Sequence, residues 1–149
     1  MGQSITNPPF LVTLSVLMTT VALAHSFRQG QSSLLSLKGL ILIAGPGVLT
    51  LVAFYSLAVH MNSQFGGWPD FIGDDGFPQQ LIVHAAFAQW TFVVVLLAAL
   101  AMPLLVGIFS LVPKLRAKIV YPASCGMACW LCLFLTAFAP RGFLNWWWD

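Results

Sequence analysis

The sequence predicts an all-α membrane protein: four transmembrane helices in an up-down bundle, with a folded outer loop between the second and third. Two features of composition and one pattern carry that expectation. Hydrophobic residues make up 59% of the 149 and charged residues only 7%, against about 25% charged in an ordinary soluble domain. Mean hydropathy is +0.89, more than a short chain can carry on a surface that faces water. The apolar residues fall into four long runs with polar connections, which reads as one integral membrane domain over residues 1–149.

The first run extends from Pro9 to Ala24, "PFLVTLSVLMTTVALA", and can continue through Ser26 and Phe27. A helix needs about 20 residues to cross a hydrocarbon core of about 30 Å. The second run, Gly39 to Met61, and the fourth, Ile119 to Ala139, meet that length directly. The third run, Gln80 to Val112, would measure roughly 45–50 Å as one helix. It should tilt, bend near Pro103 or project beyond the bilayer. Pro46, between Gly45 and Gly47, should kink the second helix. No Lys or Arg precedes the first run, so the basic start of a signal peptide is missing and a retained span is expected.

Charge orients the bundle. Arg28 and Lys38 flank the connection after the first run, and Lys114, Arg116 and Lys118 fill the one after the third. These alternate loops are expected in the cytoplasm, at residues 28–38 and 113–118. Asp70, Asp74, Asp75 and Asp149 all fall on the other side. Both termini and the 62–79 loop are then outside, as in a bacterial inner-membrane protein facing the periplasm.

That outer loop holds the densest polar chemistry, in the stretch "HMNSQFGGWPDFIGDDGFPQQLIVH" from His60 to His84. Pro78 suits a helix start, and Asp74 and Asp75 stand where they could cap it. Trp68, Phe71, Ile72 and Phe77 are too apolar for a loop dangling in water, so a folded lid over the bundle mouth is expected. Antiparallel helices joined by this loop can bring His60 and His84 into one layer. Ionisable residues within membrane helices are functional suspects because their burial is costly. The two histidines could share a haem iron, a metal ion, or a proton or quinone site. They could equally be neutral rings satisfied by each other, by loop carbonyls or by Gln80. A haem would want cationic partners for its propionates, and only Arg141 lies on that side. A zinc site would need two of Asp70, Asp74 and Asp75 as well. His25, beside Arg28, reads as an interfacial residue.

In the fourth run, Cys125, Cys129 and Cys132 form one helical stripe at i, i+4 and i+7. Cys129 and Cys132 match the CxxC spacing of thiol oxidoreductases, yet the loops hold no partner cysteine and buried thiols are inert. Ser124 and Ala128 continue the stripe with small residues, so helix packing is the better reading. The tail "RGFLNWWWD" sets Trp146, Trp147 and Trp148 at the outer headgroup layer, as an anchor and a patch for a partner subunit, pigment or lipid. Neither P-loop, GxGxxG, HExxH nor GxSxG occurs, there is no Glu, and no basic aromatic groove suggests nucleic acid.

The loop pattern WP-x-x-IG-x-x-GFP, read from Trp68 to Pro78 and followed by His84, resembles that of small uncharacterised four-helix bacterial membrane proteins. That resemblance implies topology only. Length and helix count are also similar to the glutathione-handling eicosanoid enzymes of membranes, whose Arg- and Glu-bearing motifs are absent here. Three functions stay open. The chain is expected to be a small accessory subunit packed by the lipid bilayer and other integral subunits, as in energy-transducing or photosynthetic assemblies. Otherwise it is a haem-, pigment- or metal-binding redox protein using His60 and His84, or a lid-covered enzyme or lipid-binding protein.

Overall fold

The computed structural model of the chain describes residues 8–28, 37–68 and 77–148. All regular structure among these residues is helical: α1 (Pro8–Arg28), α2 (Leu37–Phe65), α3 (Gln79–Leu111), a 3-10 turn (Pro113–Lys118), α4 (Val120–Thr136) and α5 (Arg141–Trp148).

Proline and glycine set the helix ends. Gly66 closes α2 at φ +66°, with its N–H on the Asn62 carbonyl at 2.9 Å, a left-handed cap that suits a residue without Cβ. Pro78 precedes α3 in an extended conformation, where its missing N–H is no loss. Val112 is extended ahead of Pro113, as crowding by a following proline requires, and α3 stops there. Helix α3 continues through Pro103 unbroken. At the end of α4 the N–H groups of Ala137, Phe138 and Ala139 tighten onto carbonyls three residues back, at 3.1–3.2 Å. Pro140 then cannot continue the helix, and the chain turns through 113° into α5.

Two helices, Ile41–Phe65 and Gln79–Leu111, are long and apolar enough to cross a membrane. The bent pair Val120–Thr136 and Arg141–Trp148 makes a third if it counts as one broken span, and Val12–His25 is a shorter apolar helix. Helices α3 and α4 form the central pair, with α1 and α2 each packed against both.

The interior has two layers. One gathers Val95, Ala99, Cys129 and Cys132. Here single hydrogen bonds tie helix to helix: Trp130 Nε1 donates to Ser15 Oγ (2.9 Å), which donates to the Ala99 carbonyl (3.2 Å). Thr50 likewise donates to the Thr91 carbonyl at 3.2 Å. Such bonds leave few buried polar groups for lipid to face. A close approach falls at Gly126, where a Cβ would lie 2.8 Å from Thr19 and 2.9 Å from Met102. Small residues thus admit close packing on two sides of α4: Gly126 faces α1 and α3, and Ala128 with Cys132 faces Gly47 of α2.

The second layer gathers Phe54, Leu57, Met61, Leu81, Ala85 and Ala88 from α2 and α3 with Phe143 and Trp146 from α5. This corrects the reading of Trp146 as part of a surface anchor. After Pro140 the chain forms a helix, and helical spacing turns Phe143, Trp146 and Trp147 to one side. Trp146 is only 1% exposed, so its ring packs inside its own chain.

Candidate functional site

The second layer carries the polar cluster. His60 stands five residues before the end of α2, and His84 five residues after the start of α3. The Thr50–Thr91 bond and the His60–His84 contact fall at rising numbers on α2 and falling numbers on α3, so the two helices run antiparallel. That arrangement brings the half-buried rings together, with centroids 5.4 Å apart and the two Nδ1 atoms 3.1 Å apart. One turn deeper, Ser56 Oγ lies 3.0 Å from His84 Nε2.

The Ser56 hydroxyl in turn donates to the Ala53 carbonyl at 3.1 Å. His60, His84, Ser56 and that carbonyl thus form one continuous hydrogen-bonded chain across α2 and α3.

The two Nδ1 atoms stand at hydrogen-bond distance. Among the described residues no three His, Cys, Asp or Glu side chains converge as metal ligands. Asp70, Asp74, Asp75 and Phe71 lie outside the described residues, and with them the proposed helix cap and zinc ligands.

The other residues singled out by sequence fall around this layer. Phe77 stacks on Trp146 at 6.3 Å and 8°, and also meets Phe65. Trp68 packs on Phe143 at 5.7 Å and against Gly142, where any Cβ would strike its indole. Trp68 and Phe77, on either side of that loop, thus both pack on α5. Trp147 touches Phe54 and Phe92, each in an edge contact. Trp148 also meets Phe92 but is 68% exposed, so of the three tryptophans it is the one that offers most surface. The cysteines are free; Cys129 and Cys132 are buried, and the Cys132 thiol donates to the Gly47 carbonyl at 3.3 Å. Tyr55 was not singled out by sequence. Its hydroxyl donates to the Leu135 carbonyl at 2.7 Å, pinning α2 to the end of α4.

No protein-family model, curated protein or solved structure matches this chain.

Proposed function

We propose that the chain is a small integral subunit that packs laterally inside a larger membrane protein assembly. The observation that carries this is the length of its exposed apolar band. On α3, large apolar side chains stand exposed from Ile82 and Val83 through Phe87 and Trp90 to Ile108 and Leu111. The 30 residues from Ile82 to Leu111 span roughly 44 Å at a rise of about 1.5 Å per residue. The hydrocarbon core is about 30 Å thick, and an ordinary tilt of about 20° shortens the band by only a few per cent. Lipid tails cannot cover the excess, and another protein surface can.

The flank that needs covering is formed by α2 and α3. Leu49, Phe87, Trp90 and Val94 border a shallow depression of about 170 Å³ on it, and Val52 and Val59 extend it along α2. An aromatic side chain from a neighbour fits a depression of that size. In this reading all four long helices cross in up-down order. Support comes from the contacts: Ser15 and Thr19 meet Ala99 and Met102 in rising order, whereas Gly47 and Tyr55 meet Cys132 and Leu135 in rising order. Both termini and the 62–79 loop lie outside, with the basic loops in the cytoplasm, and the host membrane is a bacterial inner membrane.

Extraction in mild detergent followed by native mass spectrometry should find the chain in particles well above its 16.2 kDa. A photo-crosslinker at Phe87 should capture another membrane protein, and Phe87→Arg should release the chain. Recovery only as a 16.2-kDa species, with no crosslink at Val83, Phe87 or Trp90, would sink the proposal. Orientation is tested separately: an impermeant thiol reagent should label Ser63→Cys from outside and Ser32→Cys only from the cytoplasm. The opposite pattern reverses the topology.

A further inference from the structure

A second groove lies on the other flank of α3, against α4 and α5. Its volume is about 590 Å³, and Phe92, Leu96, Leu133, Thr136, Asn145 and Trp148 contribute to its walls. That size falls within the range of about 300–1,000 Å³ of small-ligand sites. A helix about 10 Å across would fill it with barely more than one turn, so the groove is wrong for a partner helix. It suits a flexible chain.

Its polarity is layered. Helix α5 begins beside Pro140, which borders Asn62, Ser63 and Trp68 at the loop end of the bundle, and it ends with Trp148 against Phe92. Arg141, Asn145 and Trp148 follow at i, i+4 and i+7 and are all exposed, forming one stripe down the helix. The cation is thus nearest the loop end, the amide is one turn inward, and the indole meets the apolar walls of Phe92, Leu96 and Leu133. Arg141 makes no ion pair among the described residues. The other Arg and Lys residues, Arg28, Lys38, Lys114, Arg116 and Lys118, end α1, begin α2 or follow α3, at the opposite end of the bundle.

We propose that this groove holds one anionic phospholipid, its phosphate against Arg141 and Asn145 and an acyl chain along Phe92, Leu96 and Leu133. A guanidinium pairs with phosphate through two parallel N–H bonds. The Trp148 indole, packed on Phe92, closes the apolar end of the groove.

The site is tested on the protein as extracted in mild detergent, with any subunits that accompany it. Phosphatidylglycerol should raise the unfolding temperature more than phosphatidylcholine and should survive as a single adduct in native mass spectrometry. Arg141→Gln should abolish the headgroup preference but keep chain binding. Ala137→Trp, at an exposed position on the groove wall, should abolish both without disturbing the core. Equal response to the two lipids, or a preference that survives Arg141→Gln, overturns the proposal. So does equal stabilisation by inorganic phosphate alone, which would assign the effect to the anion and not to a lipid. The groove and the α2–α3 flank are separate surfaces, so loss of lipid binding leaves the assembly reading standing, and the reverse holds.

Discussion

Replacing Trp146 by Ala should lower the stability of the folded chain in detergent by about 3–5 kcal/mol, the usual range for removing a large buried aromatic. The ring is 1% exposed and lies within 6.3 Å, centroid to centroid, of Phe77, Phe143 and Trp147. Its loss leaves a cavity where α2, α3 and α5 meet, and neighbours held by a helix turn after Pro140 have little freedom to collapse into it. A second substitution separates packing from polarity. Trp146 Nε1 is buried without a hydrogen-bond partner among the described residues, and such a group costs about 1–3 kcal/mol. Trp146→Phe keeps an aromatic ring and removes that N–H, so it should lose less than half of what Ala loses. Circular-dichroism melts of both variants check the pair. An Ala variant within about 1 kcal/mol of the parent would mean that α5 does not belong to the core.

His60→Ala and His84→Ala should each cost about 1–2 kcal/mol, and the double variant about as much as either alone. The reason is the 3.1 Å contact between the two Nδ1 atoms. Removing one ring strands the other's Nδ1 in a half-buried layer, whereas removing both strands neither, so the two losses do not add. His84→Ala should be the larger single effect, because it also frees Ser56 Oγ from its 3.0 Å partner. A double-mutant cycle on thermal unfolding measures the coupling directly. Strictly additive losses would show two independent interfacial histidines.

Much of the architecture was legible because solvent preference is a composition property. The low charge and the runs around α2 and α3 announce helices with lipid for a solvent, whatever their partners. The histidine pair was legible for a different reason: two rings flanking one loop between antiparallel helices must share a layer, and only the rotation of each helix remained open. Helix α5 was harder to see. Three consecutive tryptophans after Pro140 read as an interface anchor, since Trp favours that layer, and eight residues are too few for a clear periodicity. The available signal was the i, i+3, i+4 spacing of Phe143, Trp146 and Trp147. Gly126 was overlooked because the neighbouring cysteine stripe drew the packing argument to Ser124 and Ala128. What a glycine admits depends on which side faces α1 and α3, and one helix's sequence does not state that. The pairing of α2 with the end of α4 through Tyr55 depends on a helix end that Pro140 sets, and so on tertiary placement.

The late position of α5 bears on how the chain is made. Phe54, Leu57, Met61, Leu81 and Ala88 are synthesised well before Trp146, the residue that covers them. About 60 residues separate Ala88 from Trp146, and at about 5–20 residues per second a ribosome needs roughly 3–12 s to cross that interval. Throughout it the α2–α3 hairpin is threaded but unsealed, its aromatic faces open to the insertion machinery and to other nascent chains. A hydrophobic face left uncovered for seconds is a site for misassembly with other chains, so slower synthesis of the stretch between Ala88 and Trp146 should lower the yield of correctly folded protein.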